Sequence, residues 1–225
     1  MAIKLREIVE FKGVLKVGGS GLRIGGQKDG AGIGETDNPI IRHPVTHLPY
    51  VPGSSIKGKV RSLLESKHCP QTQDNGLPCK CGRCLVCQLF GSGDSKTITS
   101  PSRLVFRDCQ PSAGTCQVWE DAGVTSEVKT EVLIDRNKGL SYGRIGPRTT
   151  ERIPAGSDFE FAFSLRIFEG DDTGKYYALL AEGFELLEKH YLGGSGSRGY
   201  GQVSIVMEDG ATPLPKHLRD RAGVQ

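Results

Sequence analysis

Between residues 68 and 87 the chain reads HCPQTQDNGLPCKCGRCLVC, which gathers His68, Cys69, Cys79, Cys81, Cys84 and Cys87 in one short stretch. Cys81 to Cys84 and Cys84 to Cys87 are both C-x-x-C spacings. A turn of that length points two thiolates at one tetrahedral ion, here taken as Zn²⁺. The preferred ligand set is Cys84 and Cys87 with His68 and Cys79, and Cys69 or Cys81 can replace either of the last two. A thiolate-rich tetrahedral site leaves no position open for water, so its work is structural: metal stiffens a loop with little core of its own. Cys109 and Cys116 stand outside any such spacing and read as ordinary thiols.

Two other stretches have the chemistry of phosphate binding. GSSIKGKV at residues 53–60 approaches a phosphate loop, but Val60 stands where the Mg²⁺-binding hydroxyl belongs, and prolines break the segment before it. What survives is a helix N-terminus beside Lys57, Lys59 and Arg61, suited to RNA phosphates. The same residues also read as a capped helix with solvated lysines. LGGSGSRGYG at residues 192–201 holds five glycines, more than a helix C-cap requires. Within it Arg198 offers a guanidinium to phosphate and Tyr200 a ring for base stacking. In the first glycine-rich loop, Asp37-Asn38-Pro39 has the chemistry of an Asx turn, with Glu35 and Asp29 as neighbouring carboxylates. His43 and His47, in a loop containing prolines, read as structural.

Such residues need elements to position them. Residues 3–17 are rich in β-branched side chains and alternate imperfectly, which predicts a strand. A glycine-punctuated loop follows to about residue 52, and its Leu22, Ile24, Ile33, Ile40 and Ile41 predict that it is packed. Ser54 or Ser55 is placed to cap a helix whose Ile56, Val60, Leu63 and Leu64 share one face. A strand is predicted at residues 103–109, then a hydrophilic excursion at 115–152. Phe159, Phe161, Phe163, Leu165 and Ile167 give a period-two strand. Tyr177, Leu180, Phe184, Leu187 and Tyr191 mark a second amphipathic helix, and QVSIVM a final strand.

That order predicts an α+β fold with a ferredoxin-like or RRM-like βαββαβ core, one domain over residues 1–225. Residues 67–90 form its cysteine-rich, zinc-binding insertion and residues 115–152 an arginine-rich one. Residues 209–225 are expected to be a loosely attached tail. The formal net charge of +3 is too small to argue for nucleic acid, so an RNA surface must come from local clustering of basic side chains. No apolar run approaches the roughly 20 residues of a membrane span. The alternating start MAIKLREIVEFKG lacks a signal peptide's apolar stretch, which predicts a cytoplasmic chain. There, seven cysteines are expected as free thiols or metal ligands.

LRIGG, DNPIIRHPVTHLPYVPGSSIKGKVRSLLE, QLFG, RLVFRD, the stretch from EVKTEVLIDR to ERIPAG, and LGGSGSRGYGQV together resemble the RAMP superfamily. Within it they are most similar to the backbone subunits of type III (Csm) CRISPR effectors. The resemblance implies a modified RRM-like core that stacks in several copies along a guide RNA. It implies a projecting β-hairpin, or thumb, around residues 125–152 that kinks the guide–target duplex at regular intervals. It further implies that target RNA is cut beside each kink by an aspartate of the first glycine-rich loop, here Asp37, with Mg²⁺ or Mn²⁺ bound transiently. Guide contacts are expected from Arg23, Lys57, Lys59, Arg61, Arg198 and Tyr200, and at the thumb from Arg136, Arg144, Arg148 and Arg152. The implied partners are crRNA, target RNA, further copies of the chain, a large Cas10-type subunit, a small subunit and end-capping RAMP subunits. A catalytically inert RNA-binding subunit and a guide-processing endoribonuclease are the alternative readings.

Overall fold

The structure is a computed structural model that describes residues 4–25, 38–69, 76–94, 101–141 and 148–223. In chain order its elements are β1 (Leu5–Val17), α1 (Gly53–His68), α2 (Leu85–Phe90), β2 (Leu104–Phe106) and α3 (Ala113–Ala122). Then come β3 (Glu127–Glu131), β4 (Arg148–Arg152), β5 (Asp158–Phe168), α4 (Thr173–Lys189), β6 (Val203–Met207) and α5 (Leu214–Ala222). Alternation decides the sheet. β1 buries Phe11, Leu15 and Val17, and β5 buries Phe159, Phe161, Phe163, Leu165 and Ile167, so each strand turns one apolar face inward.

Four strands form an antiparallel sheet in the order β2-β5-β1-β6. Phe11 stands opposite Phe163 and Leu15 opposite Phe159, while Gly13 stands opposite Met207. β1, α1, β2, β5, α4 and β6 follow the expected βαββαβ order; α2, α3, β3 and β4 lie in the insertions. α4 covers the apolar face, its Phe184 ring 5.6 Å from Phe163 and 5.9 Å from Phe161. α1 crosses α4 closely: a Cβ on Gly183 would lie 2.7 Å from Val60 Cγ1.

Three expectations are corrected. First, neither Ser54 nor Ser55 caps α1. Pro52 is the N-cap residue and makes no side-chain cap; the Gly53 N–H donates instead to the Asp108 carboxylate, at 2.8 Å. A carboxylate there complements the positive end of the helix dipole. The helix end read as a phosphate site therefore already holds an anion.

Second, the hydrophilic excursion opens with α3, capped by Ser112, whose Oγ accepts from Thr115 N–H at 3.2 Å. Only Thr115 and Trp119 of this helix are buried, too few to show a period. Trp119 packs edge-on to Phe159, 6.1 Å between centroids.

Third, residues 209–223 are not a loose tail. Leu214 and Leu218, one helical turn apart, are fully buried in α5, and the Arg221 guanidinium lies 5.4 Å from the Phe11 ring centroid. No helix among the described residues is long and apolar enough to cross a membrane.

Candidate nucleic-acid interface and thiol site

β5 and β6 both run antiparallel to β1, so the exit of β1 and the entries of β5 and β6 meet at one end of the sheet. Three loops consequently converge there. Residues 18–25 leave β1, residues 153–157 enter β5 from the β3–β4 hairpin, and residues 192–201 enter β6 from α4. Backbone bonds join them: Leu22 and Ile153 exchange N–H···O bonds of 2.9 and 2.8 Å, Gly201 N–H donates to Gly21 O at 2.8 Å, and Gly194 N–H to Arg23 O at 2.8 Å. Two glycines are required by this approach. Gly193 has φ +76° and a Cβ there would stand 2.1 Å from Arg23 O; Gly201 has φ +81° and its Cβ would stand 2.0 Å from Leu192 O. Packing explains those two without a ligand.

Asp37, with Glu35 and Asp29, lies outside the described residues, as does Arg144. Its covalent neighbour Asn38 sits where the loops meet the hairpin. Asn38 Oδ1 accepts from Arg23 Nη2 at 2.9 Å, and its carbonyl accepts from Glu151 N–H of β4 at 3.1 Å. Arg23 Nη1 reaches Ser195 Oγ at 3.4 Å. Further along the same arm, Ile41 N–H donates to Ile24 O at 3.0 Å. Ile40 N–H donates to the Glu151 carboxylate at 2.9 Å, which also accepts from Arg42 and Ser126. Arg23 is thus committed to the protein through its terminal nitrogens. His43 Nδ1 accepts the Val45 and Thr46 N–H groups, each at 3.3 Å, which fits the structural reading of that histidine.

The hairpin leans on the second glycine-rich loop. Glu127 pairs with Arg152 across the ladder, at 2.7 Å. Glu131 accepts from Tyr200 Oη at 3.1 Å and pairs with Arg198. Tyr200 is 1% exposed, with Lys129 and Arg152 placed 5.3 and 5.4 Å from its ring centroid. Its ring offers no face for base stacking, which corrects that expectation. Between the hairpin and the loop lies a cleft of about 460 Å³ lined by Lys129, Thr130, Glu131, Val132, Leu133, Arg148 and Arg198. Three cations against one carboxylate make it basic. Arg136 and Arg148 are exposed, and Arg198 keeps 63% of its side chain exposed. Val132 and Leu133 of its lining, and Ile134 and Leu140 further along the hairpin, are exposed to solvent.

The α1 cations are less available than their sequence implied. Lys57 is half-buried and donates to Leu104 O at 3.4 Å; burial, then Arg61 and Arg166, lowers its pKa from the ordinary lysine value. Lys59 lies 3.9 Å from the Tyr191 ring centroid, and burial lowers its pKa too. Arg61 pairs with Glu65 at 2.7 Å and donates to Cys79 O at 3.0 Å, bracing the cysteine insertion.

In that insertion Cys79, Cys81, Cys84 and Cys87 place their sulfurs within 4.8 Å of one another. His68 does not join them; its Nε2 bonds Glu182 of α4 at 2.7 Å, so the preferred ligand set is corrected and Cys81 stands in its place. Cys79–Cys84 and Cys81–Cys87 sulfurs are 4.0 and 3.9 Å apart, close to the ~3.8 Å between ligands on a tetrahedral ion with 2.3 Å metal–sulfur bonds. Backbone N–H groups of Cys84 and Cys87 point at the sulfurs of Cys81 and Cys84, at 3.3 and 3.4 Å. Burial raises the Cys81 thiol, but bonds from the Cys84 and Arg83 backbone outweigh it and bring the pKa to about 6. Burial pushes Cys87 up. The donor set, four thiols braced by amides, fits zinc.

Residues 17–204 match the family described as RAMPs. The chain belongs to the RAMP superfamily. Among its curated RAMP relatives, the CRISPR system Cms endoribonuclease Csm3 of Methanothermobacter thermautotrophicus is 42% identical over 198 residues, covering 83% of this chain and 79% of that protein. The protein of the same name from Methanocaldococcus jannaschii is 41% identical over 208 residues, covering 90% and 80%. A crystal structure of a Csm3–Csm4 subcomplex of the type III-A CRISPR-Cas interference complex superposes with a TM-score of 0.61 at 26% identity, covering 99% of this chain and 97% of that one. Sequence reading did not single out Asn38, Glu131 or Glu151 in this RAMP chain. For the two glutamates the signal was the acid–base alternation in EVKTE, set against RTTER.

Proposed function

We propose that this RAMP protein is a backbone subunit of a type III CRISPR ribonucleoprotein that holds crRNA in several adjoining copies and cuts complementary target RNA at regular intervals. The observation that carries the reading is the junction at Asn38. There the arm that continues from Asp37 is tied to both glycine-rich loops and to the hairpin base, beside a basic cleft. The name that the relatives carry, endoribonuclease, agrees. The β3–β4 hairpin is the thumb, its exposed Val132, Leu133 and Ile134 placed to wedge a duplex step. At the kinked step the target 2′-hydroxyl swings in line with its phosphate. Asp37 accepts the hydroxyl proton as general base while the 2′-oxygen bonds phosphorus and the P–O5′ bond breaks; the departing 5′-oxygen takes a proton from water, giving a 2′,3′-cyclic phosphate and a 5′-hydroxyl.

Among the described residues the thiol cluster is the one group of three or more candidate metal-ligand side chains. A single carboxylate such as Asp37 makes a weak site for Mg²⁺ or Mn²⁺, so we assign such an ion to transient binding shared with RNA oxygens and water. Zn²⁺ we assign to Cys79, Cys81, Cys84 and Cys87, where it would fix the insertion. Partners follow the same reading: a large Cas10-type subunit, a small subunit and end-capping RAMP subunits, of type III-A, in the cytoplasm.

Asp37→Ala in the guide-loaded complex tests the assignment. Target binding is expected to persist while cutting falls by at least about 100-fold, the contribution of a positioned base. Undiminished cutting removes Asp37 from the mechanism.

A further inference from the structure

We infer that the thiol site holds five ligands for four places, with Cys69 the reserve ligand that can replace Cys81. The inference rests on the zinc reading above. Cys69 Sγ lies 3.8 Å from Cys84 Sγ, nearer than Cys79 lies to Cys84 within the tetrad, 4.0 Å. That is the separation of two ligands on one tetrahedral ion, ~3.8 Å for 2.3 Å bonds. Cys69 nevertheless stands outside the group whose sulfurs are all mutually within 4.8 Å. It adjoins one edge of the tetrahedron rather than occupying a corner.

The five thiols come from two frames. Cys79, Cys81, Cys84 and Cys87 belong to the insertion. Cys69 is the C-cap of α1, its N–H bonded to Glu65 O at 2.8 Å, and is 5% exposed. A core helix therefore fixes its position. Of the tetrad, Cys81 is the member to leave. Cys84 is the sulfur that Cys69 itself approaches and is held by the Cys87 N–H. Cys87 and Cys79 are buried, the latter with its N–H on the Glu65 carboxylate at 3.0 Å. Cys81, though it accepts from the Cys84 N–H at 3.3 Å, is partly exposed. With a metal bound, the exchange would release the Cys69 thiol proton to solvent as its sulfur became a ligand, and the Cys81 sulfur would leave with its electron pair and take a proton back. Charge and ligand number are conserved. The first ligand set anchors the metal to the insertion alone; the second would bridge the insertion to α1.

Cobalt titration of the full chain tests this, because thiolate-to-Co²⁺ charge-transfer absorption counts the bound thiolates. Cys81→Ala is expected to keep a four-thiolate spectrum and bind within about tenfold of the parent. Cys69→Ala is expected to match the parent. The double variant should lose one thiolate band and more affinity than the ~10–100-fold carried by outer-shell partners. Cys81→Ala behaving like the double variant overturns the reserve role, and so does a Cys69–Cys84 disulfide in protein purified without reductant. A parent chain that gives no tetrahedral cobalt spectrum would instead sink the zinc reading itself.

Discussion

Replacing Glu151 with alanine isolates the device that seats the arm next to Asp37. Its carboxylate accepts from Ile40 N–H at 2.9 Å, Ser126 Oγ at 2.6 Å and Arg42 Nη2 at 2.5 Å. The Glu151 side chain is 11% exposed and that of Arg42 30%. Orphaning a buried N–H costs about 1–3 kcal/mol. Removing one member of a fully buried ion pair costs about 3–5 kcal/mol. Arg42 is close to a third exposed and keeps bonds to Thr125 Oγ1 and His47 O, so most of that second cost is screened. The net expectation is about 2–3 kcal/mol, a fall in Tm of about 5–10 °C for a chain of this size.

The sign with pH follows from the carboxyl group. Burial alone would raise its pKa, but the bonds from Ser126, Ile40 and Arg42 outweigh burial and hold it below the ordinary value. A depressed folded pKa stabilises fully above the unfolded value of about 4.3 and loses that contribution as pH falls through the lower folded value. Melting curves of parent and Glu151→Ala should therefore differ by a constant amount near neutrality, and the gap should narrow as pH falls below about 4. Amide exchange at Ile40 should accelerate in the variant across the neutral range. An unchanged Ile40 exchange rate together with an unchanged Tm would refute the argument.

Three other outcomes follow from the same geometry. Asp171→Asn strips one partner from a pair whose side chains are each 7% exposed and joined by bonds of 3.0 and 2.7 Å to Arg103; urea unfolding should show a loss of about 3–5 kcal/mol. Tyr200→Phe removes one bond to Glu131 but leaves the ring buried, so RNA affinity by filter binding should stay within about twofold while stability falls by about 1 kcal/mol. A tenfold loss of affinity would restore the stacking role. Chelation should expose Cys79 and Cys87, now buried, to a thiol reagent, while fluorescence from Trp119, packed on Phe159, stays constant.

What could be read from the chain was whatever solvent decides residue by residue. β5 was legible because every second side chain between Phe159 and Ile167 is excluded from water. The C-x-x-C turns were legible because their geometry is local. His68 was misassigned because it lies in the last turn of α1, where the fold delivers it to Glu182, 114 positions away. Asn38 was unreadable for the same reason, its partners Arg23 and Glu151 being brought in by the convergence of three loops. The glycines of residues 192–201 were read only as more than a helix cap requires; for Gly193 and Gly201 neighbouring carbonyls supply the reason.

An RRM-like core raises the expectation that bases stack on the open sheet face, and the register argues against it here. The aromatic rings of β1 and β5, Phe11, Phe159, Phe161, Phe163 and Phe168, are all buried. The alternate positions, paired as Lys16–Asp158, Val14–Glu160, Lys12–Ala162, Glu10–Ser164 and Ile8–Arg166, present aliphatic, short or charged side chains and no aromatic ring. Stacking worth about 1–3 kcal/mol per base is thus absent from that face. RNA affinity, on the proposed reading, would then come from phosphate contacts, which carry no sequence information. The available cations, Arg148, Arg198 and Lys129, stand at the loop end of the sheet beside the hairpin. On the function proposed above, a protein that gripped backbone there and ignored base identity would suit a complex in which the guide reads the target by pairing and each subunit has only to accept any sequence.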